Sequence, residues 1–556
     1  MKEQIAEAIT RALQELGLPE VEFVVDYPTD KNAQADYFSN VALVLSKQVG
    51  KSPHEIAEQF RAVLADKLDQ VDSVEVAGPG FLNFQMDREF FKEKIGDALA
   101  TGEQWGKNDT WAGKQVVIEY TSPNLFKPLH IGNLVGNIIG ETLSRLFEMN
   151  GAIVTRFNYP SDIGLTVAKG VWGLKHTGGD ANDILMLGEA YRQGNEAYEA
   201  GGEAAEEIKA INKALYEGTD AELSALREAG IATSKRRLAE LLHVLGTTFD
   251  REIPESHVSA PGAEIVRAHI GDVFTESDGA VVYEGDRSGL HTRVFLNSGG
   301  LPTYEAKDIG HFKLKHETHP DWDYSIIVTG NEQAEYFKVV FAAIRELFDV
   351  AQNRTLEHIP TGFLTLTTGK MSSRKGNVLT GESLLEEMEA VAHEKSSLKD
   401  ETLSQQIGVA ALKYQILKHS VGSNIVFDKE KALSFEGDSG PYLQYTYARI
   451  QSVLEKAAQA GVEPSTQFAP LQPYAVEKLI ERFPSVIAAA LASRAPHMVT
   501  GYLTELAGAF NSFYAEEKIA DATDEFAPYK AAVADAVALT LKQGLWTLGI
   551  KAPERM

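Results

Sequence analysis

The sequence predicts a multidomain α/β protein with a parallel-sheet core, a small α/β domain before it and an all-helical domain after it. At 556 residues the chain is too long for one hydrophobic core, so we expect about three to four domains. An apolar strand at 116–118 leads through a Pro-bounded loop into a strongly periodic helix, which is typical of a parallel α/β sheet. Helical periodicity then dominates residues 386–556.

Residues 1–110 have the pattern of a small α/β domain. An apolar stripe over residues 5–16 predicts a helix, and Ser-Pro-His-Glu at 52–55 is a capping box with Pro at the first helical position. The turn Gly-Pro-Gly at 78–80 separates two expected strands. The aromatic segment 36–40 has two interpretations: packing at an edge of the domain, which we prefer, or a surface that stacks on unpaired bases.

Residues 111–385 are expected to form a Rossmann-like domain organised around Ser-Pro-Asn-Leu-Phe-Lys-Pro-Leu-His-Ile-Gly-Asn at 122–133. This loop lies between a strand and a helix, so it reaches the carboxyl edge of the sheet, where open α/β sheets bind ligands. The helix N-terminus offers free N–H groups to phosphate, and we therefore expect a nucleotide site. Residues 178–235, rich in Ala, Glu and Lys, predict a helical insertion.

Gly132, Gly136 and Gly140 recur every four residues along the helix after this loop. Each glycine weakens a helix by about 1 kcal/mol relative to Ala, so a compensating reason is expected. We expect Gly136 and Gly140 to let the helix approach the sheet closely. Gly132 is expected to leave room for a phosphate or adenine.

The composition excludes several classes of protein. There are no cysteines, which excludes disulfides and thiolate metal sites, and we expect no bound metal. No run approaches the roughly 18 uninterrupted apolar residues of a membrane span, and the N-terminus is an amphipathic helix rather than a signal peptide. These features predict a cytoplasmic protein that does not contact membranes. The net charge of −26 disfavours non-specific nucleic-acid binding but permits a local basic patch.

A second charged loop, Lys-Met-Ser-Ser-Arg-Lys-Gly at 370–376, combines cations, hydroxyls and a glycine. Such a loop is usually just solvated, but it can also close over a polyphosphate. Together with His-Ile-Gly-Asn at 130–133, it resembles the paired HIGH and KMSKS signatures of class I aminoacyl-tRNA synthetases. The extended motif at 122–133, Tyr-Glu-Ala-Lys-Asp at 304–308 and the ending at 548–556 are similar to those of arginyl-tRNA synthetases. The resemblance covers essentially the whole chain.

Three positions depart from the family's pattern. Ala35 stands where Gly is common, Asn133 replaces the final His of HIGH, and Ser373 replaces the second Lys of KMSKS. Asn133 can donate a hydrogen bond but cannot be cationic. The resemblance implies that Lys127, just before HIGH, shares the work of the missing lysine.

The resemblance also implies roles for particular residues. Catalysis and ATP binding would fall to Lys127, His130, Gly132, Asn133, Lys370, Met371, Ser372, Arg374 and Lys375. Arginine would be bound by Asn124, Glu119, Glu255, Tyr304, Asp308 and Gln333. The tRNA would be contacted by Tyr37, Phe38, Asn40, Tyr442, Tyr445 and Met556.

The chemistry of arginine independently requires acidic residues in such a pocket. A guanidinium stays charged, and burying it is costly unless carboxylates meet its fork of donors. Candidates near the expected strand ends are Glu119, Glu255 and Asp308. A surface salt bridge is the simpler explanation for a lone acid. Asp308 lies one helical turn after Tyr304, however, and both are then expected to face the same way.

The implied reaction is ATP-dependent ligation of L-arginine to its tRNA through arginyl-adenylate, with transfer to the 2′-OH of the terminal adenosine. ATP with Mg²⁺ would be a substrate, no tightly bound cofactor would be needed, and activation would require bound tRNA. Residues 386–556 would be an anticodon-binding domain, and the N-terminal domain would also contact the tRNA. We expect a monomer.

Three alternatives fit parts of the pattern. Another class I synthetase, such as the zinc-using cysteine enzyme, is disfavoured by the absence of Cys and by the acidic pocket candidates. A catalytically inactive RNA-binding paralogue is disfavoured because both signatures keep their charged residues. A nucleotidyltransferase with an H-x-G-[HN] core would not need the C-terminal half of the chain.

Overall fold

A computed structural model describes residues 1–28, 35–65, 67–367, 380–395 and 399–556. By its contacts, the described chain divides into two compact units, residues 1–105 with 450–483 and 508–540, and residues 106–449 with 484–507 and 541–556. A parallel sheet, a small N-terminal sheet domain and a helical C-terminal region confirm the predicted fold class. The domain boundaries predicted from sequence stay a proposal, because the contacts group part of the C-terminal helices with residues 1–105.

The N-terminal part of the first unit consists of α1 (Lys2–Glu15), β1 (Val25–Asp26), β2 (Tyr37–Ser39), α2 (Val41–Val49), α3 (Pro53–Leu64), β3 (Val71–Ala77), β4 (Phe81–Met86) and α4 (Arg88–Thr101). Its strands form an antiparallel sheet in the order β1-β2-β4-β3. The predicted capping box begins α3, where the side chains of Ser52 and Glu55 each accept the other's backbone N–H.

A buried acid joins the other segments of the first unit to this domain. Glu477 is fully buried, pairs with Arg88 at 2.8 Å and accepts a hydrogen bond from the hydroxyl of Tyr529 at 2.6 Å. Burying a carboxylate is costly without such partners. The indole N–H of Trp105 donates to Thr540 at 3.1 Å. Residues from the C-terminal helices therefore make buried polar contacts with the N-terminal part of this unit.

The first part of the second unit contains β5 (Gln115–Glu119), α5 (Ile131–Met149), β6 (Ile153–Asn158), α6 (Leu165–Thr177), α7 (Ile184–Ala200), α8 (Gly202–Glu217), α9 (Ala221–Leu245), β7 (Arg251–Glu252), α10 (Glu255–Ala268), β8 (Thr275–Ser277), β9 (Ala280–Tyr283), β10 (Arg293–Leu296), α11 (Tyr304–Thr318), β11 (Tyr324–Gly330), α12 (Ala334–Leu347), β12 (Thr355–Thr361) and β13 (Leu364–Leu366). A parallel sheet runs in the order β12-β11-β5-β6-β7, and an antiparallel sheet in the order β10-β9-β8. Helices α7, α8 and α9 cover the predicted helical insertion.

The remaining elements are α13 (Gly381–Lys395), α14 (Glu401–Leu417), β14 (Ile425–Phe427), α15 (Lys429–Ala432), α16 (Gly440–Gln459), α17 (Ala475–Ala492), α18 (His497–Glu516) and α19 (Ala527–Thr547). Strand β14 pairs with β13 in parallel. Within the described ranges, no helix combines the length and the apolar character that crossing a membrane requires.

Helix α5 packs against the sheet, and its glycines differ in how much space surrounds them. A Cβ on Gly140 would lie 2.3 Å from Cγ of Tyr120, so only glycine lets the helix approach the end of β5 this closely. A Cβ on Gly136 would lie 3.8 Å from the carbonyl oxygen of Val328, which is ordinary contact. The close-approach explanation is therefore confirmed for Gly140 and wrong for Gly136.

Candidate active site

Strands β5 and β11 are neighbours in the parallel sheet and bring the predicted site residues to one edge. The loop 120–130 follows β5, and Gln333 lies in the short helical turn after β11. The chain leaves β5 toward β6 on one side and reaches β11 on the other, so the strand order reverses between β5 and β11. Open α/β sheets bind ligands at the carboxyl ends of strands at such a reversal.

The loop after β5 has a strained backbone. Thr121, Ser122 and Phe126 have φ of 72°, 41° and 71°, a left-handed conformation that costs residues other than glycine about 1–3 kcal/mol each. Two amides of α5 hold the loop in place. Nδ2 of Asn133 donates to the carbonyl oxygen of Thr121 at 2.7 Å, and Nδ2 of Asn137 donates to its Oγ1 at 2.9 Å. Asn133 therefore shapes the loop, a role that the sequence did not predict.

His130 is the N-cap of α5 and is largely exposed. Its Nδ1 accepts a hydrogen bond from the N–H of Gly132 at 3.0 Å, so the neutral ring carries its proton on Nε2. Partial burial, followed by the charge of Lys127, lowers the pKa of His130 and keeps the ring neutral near pH 7. Nε2 is thus a donor that can meet an anion at the helix N-terminus.

The segment that follows the predicted charged loop docks on the His130 turn. Thr380 forms a backbone bridge with His130, and the N–H of Gly381 donates to the carbonyl oxygen of Leu129 at 2.8 Å. The carboxylate of Glu382 accepts the N–H of Leu129 at 3.1 Å. The predicted site residues of the charged loop itself lie outside the described residues: Lys370, Met371, Ser372, Arg374 and Lys375.

Glu119, the last residue of β5, is buried against two basic side chains of α11. Its Oε2 lies 2.6 Å from Nε2 of His311 and 2.7 Å from Nζ of Lys315. Burial disfavours the ionised carboxylate, but attraction to Lys315 and His311 outweighs it and lowers the pKa of Glu119 to about 2. Glu119 is therefore ionised and paired before any substrate binds.

Glu255, the first residue of α10, is buried with a second lysine of α11. Nζ of Lys307 lies 2.5 Å from its Oε1, and the hydroxyl of Ser161 donates to its Oε2. Burial opposes the charge on Lys307, but attraction to Glu255 outweighs it and raises the pKa of the lysine. Glu255, like Glu119, is therefore paired with a lysine of α11.

A cavity of about 260 Å³ lies beside this pair. Nζ of Lys307 lies 5.1 Å from the ring centroid of Tyr304 and 5.6 Å from that of Tyr216. Tyr304 is 63 % exposed and lines the cavity together with Tyr216 and Asn212 of α8. The buried Oδ1 of Asn212 has no hydrogen-bond partner among the described residues. The helical insertion therefore supplies part of the cavity wall, which the sequence did not predict.

Asp308 differs from Glu119 and Glu255, because the described part of the chain supplies it with no ion-pair partner. Its Oδ2 accepts a hydrogen bond from the hydroxyl of Tyr336 at 2.6 Å. Burial raises the pKa of Asp308 to about 7, although the Tyr336 hydrogen bond opposes the shift. Burial and then the charge of Asp308 raise the pKa of Tyr159, whose buried hydroxyl lacks a hydrogen-bond partner within the described ranges.

The remaining predicted site residues lie in the loops that follow β5 and β11. Asn124 forms a backbone bridge with Ser161, the residue that holds Glu255, and so lies near the pocket. Lys127 is half-buried, and burial lowers the pKa of its ammonium group. Gln333 is exposed at the N-cap of α12. The structure thus brings most of the predicted arginine-binding residues to one edge of the sheet.

The sequence prediction missed the basic residues of α11. Lys307, His311 and Lys315 follow one another at spacings of four residues, so they share a helix face with Glu119 and Glu255 opposite them. Ionisable residues recurring along one face of a helix in the core are the signal that would have found them. Tyr159 and Tyr336 offered no local signal, because their surroundings come from distant parts of the chain.

The predicted tRNA contacts in the first unit are partly enclosed. Tyr37 is 1 % exposed and its hydroxyl donates to Glu481, so its ring has no free face for a base. This burial corrects the stacking interpretation of Tyr37 in favour of packing. Phe38 is half-buried with its ring centroid 5.6 Å from that of Phe81, and Oδ1 of Asn40 accepts a backbone N–H at 2.8 Å.

The predicted tRNA contacts in the second unit are more accessible. Tyr445 is 38 % exposed, and the guanidinium carbon of Arg449 lies 4.8 Å from its ring centroid. Tyr442 and Met556 are half-buried. An exposed ring beside a guanidinium is a suitable surface for a stacked base.

Three family models of aminoacyl-tRNA synthetases match successive parts of the chain. Residues 94–429 match the family "tRNA synthetases class I (R), catalytic domain", residues 2–86 match "Arginyl tRNA synthetase N terminal domain", and residues 443–556 match "DALR anticodon binding domain". The chain is 31 % identical to the arginine–tRNA ligase of Clostridium perfringens and to arginine–tRNA ligase 2 of Bacillus anthracis, covering 100 % of both partners in each case. The chain belongs to the arginyl-tRNA synthetase family.

Solved structures of arginyl-tRNA synthetases have the same fold. The Thermus thermophilus enzyme matches with a TM-score of 0.80 at 25 % identity, covering 100 % of both chains. The Plasmodium falciparum enzyme matches with a TM-score of 0.79 at 19 % identity, covering 100 % of this chain and 99 % of that one. The family resemblance drawn from the two signature motifs is confirmed, and the chain is a class I aminoacyl-tRNA synthetase.

Proposed function

We propose that this chain ligates L-arginine to its tRNA in an ATP-dependent reaction, through arginyl-adenylate and transfer to the 2′-OH of the terminal adenosine. One observation carries the proposal: a helix N-terminus suited to an anion at His130, and a carboxylate, Asp308, that has no ion pair among the described residues, belong to neighbouring elements at one edge of the sheet. The turn suits the phosphates of ATP, and the carboxylate suits a guanidinium.

In the first step, a carboxylate oxygen of arginine attacks the α-phosphorus of ATP, and the bond from that phosphorus to the bridging oxygen of pyrophosphate breaks. No protein nucleophile is needed, so the residues act by positioning and by stabilising charge. His130 donates its Nε2–H to an α-phosphate oxygen, in keeping with its neutral tautomer. A lost donor of this kind costs about 3 kcal/mol of transition-state stabilisation.

Cations near the His130 turn hold the pyrophosphate as it leaves. Lys127 is half-buried, with Nζ 6.0 Å from the ring centroid of Tyr191, and Gly132 is exposed in the first turn of α5. Asn133 was expected to donate to phosphate, but its contact with Thr121 supports a role in holding the loop. The loop residues proposed to cover ATP are Lys370, Met371, Ser372, Arg374 and Lys375. ATP enters with Mg²⁺ as a substrate complex.

The arginine lies along the sheet edge with its two ends in different environments. Its guanidinium is held by Asp308, Tyr304 and Glu255, where the acceptors are concentrated. Its α-amino and carboxylate groups are held by Asn124, Gln333 and Glu119. Because Glu119 is already paired with Lys315, its part is to accept a hydrogen bond rather than to supply net charge.

In the second step, the 2′-OH of the terminal adenosine attacks the carbonyl carbon of the adenylate, and AMP leaves. Tyr445 has the exposed ring that a stacked anticodon base requires. Further tRNA contacts are proposed at Phe38, Asn40, Tyr442 and Met556.

We also propose that the protein acts as a cytoplasmic monomer. Cell fractionation would check the compartment, and sedimentation of the purified protein would check the oligomeric state.

The proposal is tested by charging total tRNA with each standard amino acid in turn. Arginine alone should be attached. Oxidising the free 2′,3′-diol of the terminal adenosine with periodate before the reaction should prevent the attachment. Attachment of a different amino acid would overturn the assignment to arginine. Binding of tRNA without any charging would favour the RNA-binding paralogue. A His130→Ala protein serves as the catalytic control.

A further inference from the structure

Helix α11 carries the counterions of the arginine pocket. Lys315 pairs with Glu119 at 2.7 Å, and Lys307 pairs with Glu255 at 2.5 Å. Both lysines and both glutamates are buried, with side chains between 3 % and 6 % exposed. Asp308 lies on the same helix but, among the residues described here, meets only the hydroxyl of Tyr336 at hydrogen-bond distance.

These pairings give the pocket a definite charge. Each glutamate is matched by one lysine, so neither pair adds net charge. Asp308 is then the one carboxylate in this group whose charge is uncompensated by the described chain, and it provides a single negative charge for a single guanidinium. We infer that Lys307 is a positioning residue that sets charge selectivity: it neutralises Glu255 and leaves the recognition of the substrate charge to Asp308. This inference rests on the proposed arginine specificity.

The arrangement has a physical reason. Several bare carboxylates buried together would repel one another and take up protons, and a protonated acid would then face the substrate. A lysine beside each glutamate balances its charge, so the carboxylate can accept hydrogen bonds without attracting a second cation. The pocket thus offers several acceptors to the five guanidinium donors but only one unit of charge.

A purely structural role for Lys307 makes a different prediction. If the lysine only filled space and tied α11 to α10, removing its charge would harm every variant alike. If it masks Glu255, removing its charge should release a carboxylate that can replace Asp308. The two possibilities differ in a double variant, where one predicts further loss and the other predicts rescue.

The experiment compares Asp308→Asn with Asp308→Asn/Lys307→Gln in the full-length protein. In each variant, the inhibition constant of citrulline, the neutral isostere of arginine, as a competitive inhibitor is divided by the KM for arginine. Neither constant contains the enzyme concentration, so this ratio does not depend on the active fraction of the preparation. The matched control is Asp308→Asn/Lys313→Gln, because Lys313 lies on the same helix but pairs with Glu317 in solvent.

We expect Asp308→Asn to lower the preference for arginine over citrulline by about a hundredfold, the scale of a buried charge left unmatched. Adding Lys307→Gln should restore about tenfold, because Glu255 then offers a free negative charge. Adding Lys313→Gln should restore nothing. A Lys307 double variant no better than Asp308→Asn, in a protein whose wild type charges arginine, would overturn the inference. A wild type that does not charge arginine would instead overturn the proposed function.

A second pair of variants covers the case in which the first double variant melts far below the Asp308→Asn protein. Glu255→Gln leaves the Lys307 charge unmatched and should abolish the arginine preference. Glu255→Gln/Lys307→Gln removes the whole ion pair and should recover about tenfold of it. Equal preferences in these two proteins would contradict the masking role.

Discussion

The hydroxyl of Tyr336 on α12 donates a hydrogen bond of 2.6 Å to Oδ2 of Asp308 on α11. Burial, together with the nearby charges of Glu119 and Glu255, raises the pKa of Asp308, this hydrogen bond and Lys315 lower it, and the net pKa is about 7. A donor to the ionised form favours that form. The Tyr336 hydroxyl therefore helps to keep the proposed guanidinium-binding carboxylate charged at neutral pH.

The KM for arginine should depend on pH through Asp308. Below about pH 7 the free carboxyl is protonated and neutral, so KM should rise about tenfold for each unit of falling pH. Above that pH the carboxyl is charged, and KM should level off. Steady-state charging from pH 5.5 to 9 measures this. Asp308→Asn should have a high KM with little pH dependence, and an unchanged KM in that variant would remove Asp308 from the pocket.

Tyr336→Phe should shift the pH dependence of the KM for arginine to higher pH. The variant loses a hydrogen bond to the charged form of Asp308, which is worth about 1.5 kcal/mol or roughly tenfold in the proton equilibrium. KM at pH 7 should therefore increase, while KM at pH 9 should stay close to the wild-type value. An increase of the same size at every pH would mean that Tyr336 acts by packing and not through the proton equilibrium.

His130→Ala should lower kcat by about a hundredfold and change arginine affinity little, because its Nε2–H is proposed to meet charge that develops in the transition state. Steady-state charging and calorimetric arginine binding separate the two effects. His130→Gln, which keeps a donor at the end of its side chain, is the matched control and should be less impaired. Equal losses in affinity and turnover would indicate a binding role.

The two glycines of α5 should respond differently to alanine. Gly140→Ala places a Cβ 2.3 Å from the ring of Tyr120, and overpacking of this kind lowers the free energy of unfolding by about 1–3 kcal/mol. Gly136→Ala meets ordinary contact and should be neutral or should stabilise the helix by up to about 1 kcal/mol. Urea unfolding of both proteins checks this. A Gly140→Ala protein as stable as the wild type would contradict the close-approach explanation.

Much of the local structure followed from the sequence, because its signals involve neighbouring residues. The capping box at Ser52 and Glu55 predicted the start of α3, and the observed hydrogen bonds confirm it. The apolar strand at 116–118 and the periodic helix after it predicted β5 and α5, which the structure has at Gln115–Glu119 and Ile131–Met149. The family resemblance implied that Asp308, Tyr304 and Glu255 bind the guanidinium, and this role stays a prediction.

The sequence by itself determined the order of elements, the family and the acidic character of the pocket. Only the tertiary structure decided which of these acids lacks an ion pair within the described ranges. Lys315 is 196 residues from Glu119 and Lys307 is 52 residues from Glu255, so no local pattern relates the partners. An ion pair depends on the distance between two charges in space, and that distance is set by how α11 packs against β5 and α10. The burial of Tyr37 also depends on packing, whereas its polar neighbours in the sequence had suggested a possible stacking surface.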